Sequence, residues 1–248
     1  MTTFPSITAA GPLIAFHLLG IVDFEACLAL QARLVYDAGE REDGRIVVLL
    51  CEHPPLITIG RSGSRAHVRL SPQQLRQAQL ETKWVGRGGG CVLHQPGQLA
   101  IYPIVPLARR GWSVGDYLAR LKQGICQSLA TLQIRAGSSP ERPGVYGRSG
   151  LLASLGVAVR NGVTMQGAWL NVNPSPQSLR SVEPFSLQNT GGGRPAGMAS
   201  LLSERHEPVT MTQVRAALVA GLASALDCPR QTVTSGHPLL VAPAASVA

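Results

Sequence analysis

Lysine is nearly absent from this 248-residue sequence: of its 22 basic residues only Lys83 and Lys122 are lysines, and the rest are arginines. Chemistry run by a lysine amine therefore has two places at most to occur. Aromatic residues make up 4% of the chain, too little material for the stacking platforms that hold single-stranded nucleic acid. The formal net charge of +8 does not restore that reading, because the arginines are spread from Arg33 to Arg230 with Arg109-Arg110 as the one adjacent pair. Charged residues are also scarce, 15% against 45% hydrophobic, which excludes a disordered chain or a coiled coil. The five cysteines, Cys27, Cys51, Cys91, Cys126 and Cys228, are odd in number and never spaced C-x-x-C. That spacing argues against a disulfide framework or a zinc signature and for reduced, mostly buried thiols. No apolar run approaches about 18 residues, and no basic segment precedes the short apolar stretch Pro12–Leu19. The expectation is a cytoplasmic protein without membrane contact, metal or cofactor.

What is present is a mixture of helix and strand patterns. Phe24, Cys27, Leu28, Leu30, Leu34 and Val35 form one broad apolar face over 24–38, a helix. Arg45–Cys51 and Leu56–Ile59 read as buried strands separated by Glu52-His53-Pro54-Pro55, and residues 72–80 as a helix opened by Ser71-Pro72. Leu99–Pro106 reads as a further strand, and Val114–Leu132 has the most regular helical spacing in the chain. Leu151–Val159 and Val163–Val172 flank Arg160-Asn161-Gly162, a strong hairpin signal. Met198–Leu202 is a short segment, Met211–Leu226 a helix capped by Thr210 or Thr212, and residues 239–248 a flexible tail. Strands and helices do not alternate as regular βαβ units, so the pattern predicts an α+β fold with a mixed β-sheet flanked by helices, in one domain over 1–248.

The stretch 86–107 carries the densest signal. Gly86-Arg87-Gly88-Gly89-Gly90, then His94, then Pro96-Gly97-Gln98 describe a loop over 86–98 whose backbone can approach a ligand closely. It is neither a phosphate loop nor a dinucleotide fingerprint, since the lysine and the strand-turn-helix context are missing. His94, set between two glycine turns, fits a structural histidine as well as a base.

Several anchors together resemble the LipB octanoyltransferases of the biotin/lipoate protein ligase superfamily. The family's R-G-G-x-x-T-x-H-x-P-G-Q is matched by Arg87-Gly88-Gly89, His94 and Pro96-Gly97-Gln98, with Tyr102-Pro103 following. Glu52-His53-Pro54-Pro55, Thr58 and Gly60-Arg61 match its E-H-P-P-x-x-T-x-G-R. Arg142-Pro143-Gly144-Val145-Tyr146, Ser154-Leu155-Gly156, Gly167 and Leu170-Asn171-Val172-Asn173 follow in family order. The resemblance implies a domain that moves octanoyl from acyl carrier protein to a lysine of lipoyl domains without a cofactor. It also implies a substrate-binding surface of Arg87, Gly88, Gly89, Gly90, Cys91, Val92, Leu93, His94, Ser154, Leu155, Gly156, Gln166, Gly167 and Ala168. The excess positive charge suits acidic carrier and lipoyl domains, met by a monomer.

The departures fall on the reactive positions. Leu151 stands where the family has its lysine, Phe185 where it has its nucleophilic cysteine, Val92 for the signature threonine and Gln166 for a histidine. In the family a thiolate attacks the carrier thioester, and the resulting acyl-enzyme is resolved by the lipoyl-domain amine. Leucine and phenylalanine support neither step. Three readings follow: a catalytically impaired family member that binds acyl groups, carrier protein or lipoyl domains; an active transferase with a nucleophile relocated to Ser186 or Cys91, with His94 as base; and an ATP-dependent lipoate or biotin ligase, weakened by the missing lysine. Leu151 and Phe185 decide whether an acyl pocket stays open or is filled.

Overall fold

The computed structural model describes residues 11–139, 143–183, 197–205 and 207–240. Its frame is a seven-stranded sheet ordered β10-β1-β2-β6-β9-β8-β7. The strands are β1 (Leu13–Ile21), β2 (Ile46–Glu52), β6 (Gln98–Ile104), β7 (Val145–Tyr146), β8 (Leu151–Arg160), β9 (Val163–Asn171) and β10 (Arg230–Ser235). β10, β1 and β2 run parallel and the remainder pair antiparallel, so the sheet is mixed. A second sheet of order β4-β3-β5 joins β3 (Leu56–Ile59), β4 (Glu81–Trp84) and β5 (Cys91–His94).

Alternation along the strands divides the core. Val48 and Leu50 of β2, with Leu99 and Ile101 of β6, face one layer, while Val47, Leu49, Cys51, Ala100, Tyr102 and Ile104 face the other. The first layer is covered by α4 (Val114–Thr131) and α7 (Met211–Ala225), through Tyr117, Leu121, Ile125 and Leu129 of one and Val214, Leu218 and Leu222 of the other. The second is covered by α1 (Phe24–Glu40), through Cys27, Leu30, Leu34 and Val35. Each of these three helices opens on a side-chain cap: Asp23 for α1, a Ser113/Asp116 capping box for α4 and, of the two threonines expected for α7, Thr210 in a box with Gln213. The β8–β9 hairpin turns at Asn161 (φ 49°) and Gly162 (φ 75°), the positive-φ pair an Asn-Gly turn requires.

Several expectations need correction. The segment read as one loop over 86–98 is a loop only as far as Gly90, because Cys91–His94 pair antiparallel with Leu56–Ile59 and form β5. The helix expected over 72–80 is α2 (Pro72–Gln77), after which Gln79 takes a positive φ of 52° and the chain leaves for β4. Pro12–Leu19, left unassigned, is mostly β1, and Met198–Leu202 leads into the short α6 (Leu201–Glu204). α3 (Leu107–Arg110), β4 and β10 were not anticipated. α5 (Pro176–Leu179) completes the helices. Leu239 and Leu240 of the expected tail are described, and residues 241–248 lie outside the described residues. Among the described residues no helix is long and apolar enough to cross a membrane.

Candidate functional site

The three stretches singled out in the sequence meet where β5, β8 and β9 converge. The glycine loop is knitted to the end of β3 by Gly60 N–H to Gly90 O (3.0 Å), Arg61 N–H to Arg87 O (2.9 Å) and Ser62 N–H to Gly89 O (3.1 Å), and to β8 by Gly88 N–H to Val157 O (2.9 Å). In the hairpin Leu155 pairs with Ala168, Gly156 with Gly167 and Val157 with Gln166. Gly156 is required by proximity: a Cβ there would sit 2.6 Å from Gly88 O and 3.1 Å from Arg87 Cδ.

Arg87 is the centre of the arrangement. Its side chain is fully buried. Nη1 donates to Gly88 O and Gly90 O, both at 3.0 Å, and Nη2 to Thr58 O at 3.2 Å and Thr58 Oγ1 at 2.7 Å. Its guanidinium lies 4.6 Å from the Trp169 ring centroid. Burial pushes its pKa down to about 10, so it remains a cation at neutral pH. No carboxylate bonds to it among the described residues. Carbonyl dipoles, a hydroxyl and an indole face carry the compensation.

Around it runs a buried ring cluster of Phe24, His53, His94, Tyr102 and Trp169, with centroid separations of 5.3 to 6.1 Å. His53 Nδ1 donates to Val22 O at 2.7 Å, which leaves Nε2 to accept from the Tyr102 hydroxyl at 2.9 Å, and Trp169 Nε1 donates to that same oxygen at 3.0 Å. His94 Nε2 meets Thr58 Oγ1 at 2.9 Å, and its Nδ1 is buried with no partner. Burial, with His53 and Arg87 nearby, holds the His94 pKa well below the ordinary histidine range, and burial lowers that of His53.

Such groups take up fewer protons folded than unfolded. The stability they contribute is present above the unfolded pKa, about 6.5, and is lost as pH falls through the folded values. Denaturant titrations should show the unfolding free energy declining between about pH 6.5 and pH 5, and His94→Gln should make the decline shallower. A decline of unchanged slope in that variant would remove His94 as its source.

The remaining motif residues bind the scaffold together. Glu52 accepts from Gly97 N–H (2.8 Å) and from Arg215 of α7 (3.0 Å), Gln98 donates to Asn171 (3.0 Å), and Asn171 Nδ2 donates to Ala199 O (2.9 Å). Gln166 has φ 58° and donates its N–H to Gln31 Oε1 at 2.7 Å, while its own Oε1 is buried without a partner. Trp169 and Gln31 escaped the sequence reading because an aromatic or a glutamine inside an apolar run carries no mark distinguishing it from packing, and Tyr102 was read only as a motif anchor, without its bond to His53.

The reactive positions are differently placed. Leu151, at the start of β8, is 1% exposed; its N–H donates to Gly197 O and its carbonyl accepts from Ala199 N–H, both at 2.9 Å. Cys91 and His94 are not brought together. Cys91 packs with Ile57, Ile59, Leu93 and Val182, whereas Val92 and His94 turn toward the Trp169 side. The Cys91 thiol donates to Ser64 O at 3.5 Å, and burial raises its pKa, the reverse of an activated nucleophile. Phe185 and Ser186 lie outside the described residues, as does Arg142.

Residues 23–223 match the family model of the lipoyl protein ligase A/B catalytic domain. A bi-partite lipoate protein ligase of Thermoplasma acidophilum superposes with a TM-score of 0.69 at 14% identity, covering 92% of this chain and 89% of that one, a likeness of fold. Among named relatives, the octanoyltransferase of Geotalea uraniireducens is 35% identical over 211 residues, 84% of this chain and 91% of its own length. That of Pseudomonas fluorescens SBW25 is 31% identical over 225 residues, 90% and 97% respectively. The fold is that of the biotin/lipoate protein ligase superfamily. Within it, the chain belongs to the LipB octanoyltransferase family.

Proposed function

We propose that this protein serves protein lipoylation by binding octanoyl-acyl carrier protein and lipoyl domains, the partners implied for its family, without transferring the acyl group itself. The observation that carries the reading is Leu151: at the position expected for the family's lysine stands an aliphatic side chain closed into the core, 1% exposed, with both backbone groups bonded to the 197–199 segment along one edge. A buried leucine moves no proton. The intact Arg87–His94 arrangement beside β8 and β9 supports retained binding, and the net charge of +8 suits acidic partners met by a cytoplasmic monomer.

Incubating the purified protein with octanoyl-carrier protein, then with a lipoyl domain, separates binding from transfer. Intact-mass spectra should show no octanoyl adduct on the protein and no octanoylated lipoyl domain, while calorimetric titration of the carrier protein saturates and weakens as salt rises. An adduct mapped to Ser186 or Cys91, or transfer at the rate of an active family member, would overturn the proposal.

A further inference from the structure

Two thiols and an imidazole converge in the core where α1 packs on β2. Cys27 Sγ and Cys51 Sγ are 3.9 Å apart, Cys51 Sγ is 3.7 Å from His53 Nε2, and the three donor atoms all lie within 4.8 Å of one another. Cys27, Cys51 and His53 are buried. We propose that these three side chains form a zinc site, one that no C-x-x-C spacing announces.

Three observations support it independently of any transferase chemistry. The first is the donor spacing. Zinc holds thiolate sulfur at about 2.3 Å and imidazole nitrogen at about 2.05 Å. An ion at those lengths would view the Cys27–Cys51 pair and the Cys51–His53 pair each at roughly 115°, and would hold Cys27 Sγ and His53 Nε2, which lie within 4.8 Å, no more than about 4.35 Å apart. The second is the orientation of His53. A metal-binding imidazole characteristically donates its other N–H to a carbonyl, and His53 Nδ1 does so to Val22 O at 2.7 Å, presenting Nε2 as a lone pair to the sulfurs. The third is Gln31. Its Oε1 is held by Gln166 N–H at 2.7 Å, which turns its amide NH₂ onto Cys27 Sγ at 3.8 Å, where an N–H supports a thiolate.

Charge selects the ion. Binding converts two thiols to thiolates and releases two protons, Zn²⁺ + 2 RSH giving Zn(SR)₂ + 2 H⁺. A divalent ion with two thiolates leaves this apolar layer neutral; copper(I), which also favours thiolate and imidazole donors, would leave one buried negative charge. On binding, the Tyr102 hydroxyl gives up its bond to His53 Nε2, 2.9 Å away, and becomes the oxygen available for a fourth position. The ion would tie α1 to β2.

The test uses the full chain made in zinc-supplemented cells, without a histidine tag, desalted and assayed for metal by mass spectrometry. About one zinc per chain is expected, with Cys27→Ser and Cys51→Ser each losing about 10-fold or more in affinity. Cys126→Ser and Cys228→Ser should keep the metal. Exchange of the wild-type protein with cobalt(II) should produce thiolate-to-cobalt charge-transfer absorption, a readout that stands even where a serine variant fails to fold. A wild-type protein that holds no zinc and shows no such absorption overturns the site. So does a Cys27–Cys51 disulfide in non-reduced peptide maps, and copper(I) retained in preference to zinc overturns the choice of ion.

Discussion

Arg87→Ala should lower the unfolding free energy by about 3–5 kcal/mol and the melting temperature by roughly 6–20 °C. Four hydrogen bonds from one guanidinium end on Gly88 O, Gly90 O, Thr58 O and Thr58 Oγ1, the last three buried and the first half-buried. Truncation removes all four bonds, each worth about 1–3 kcal/mol where a buried acceptor is left unsatisfied; Gly90 O keeps its bond from Gly60 N–H and Thr58 Oγ1 its contact with His94 Nε2, and a cavity opens against the Trp169 ring. Relaxation and entering water recover part of the sum, which is why the expectation lies well below it. Arg87→Lys keeps the charge but loses the planar fork, and should recover less than half of the loss, about 1–2 kcal/mol. Arg33, in an exposed i,i+4 pair with Asp37, is the control: its alanine variant should change stability by no more than about 0.5 kcal/mol. Denaturant unfolding followed by circular dichroism measures all three. A loss below about 1 kcal/mol for Arg87→Ala would mean that the loop is held by its backbone bonds alone.

A lysine at 151, where the resemblance places the family's, should damage the protein when introduced as Leu151→Lys. The side chain at 151 is 1% exposed, with Leu152 and Ala153 beside it in the core. An ammonium group placed there without a partner costs about 3–5 kcal/mol, the penalty of an uncompensated buried charge. The pH dependence distinguishes this cause from simple misfit. A buried lysine has its pKa lowered in the folded state, so the penalty is absent above about pH 10.4, where the amine is neutral in both states, and grows as pH falls toward the folded pKa. The stability gap between wild type and variant should therefore widen by up to about 1.4 kcal/mol per pH unit on going down from pH 10. A gap independent of pH would assign the loss to shape. Octanoyl transfer assayed on the same variant should stay at background.

Much of this architecture could be read from the chain because its elements are locally consistent. The apolar face of α1, the Asn161-Gly162 turn and the capping boxes of α4 and α7 each express one local rule, and no distant partner contradicts it. The motif residues were legible as a set but not in their roles. Glu52, Gln98 and Asn171 stand out in sequence only as members of the family-matching motifs, and their bonds tie the scaffold together through Gly97, Arg215 and Ala199. Cys91 and His94 look adjacent, yet strand alternation sends them to opposite faces, which only the pairing with β3 fixes. Cys27 and Cys51 are far apart in sequence, and nothing local indicates that a helix and a strand lay their sulfurs together.

β10 was invisible for a different reason, and its composition has a use. Arg230–Ser235 pairs with β1 along one side and forms the outer strand of the sheet, exposed at every position. Its six residues are Arg230, Gln231, Thr232, Val233, Thr234 and Ser235, a single aliphatic side chain among polar ones, so no hydrophobic alternation marks it as a strand. An outer strand with free peptide groups and an apolar surface would be a template for the next molecule. Polar side chains and one arginine make that stacking unrewarding, so the feature that hides β10 from pattern reading is the one that keeps the sheet from growing into an aggregate.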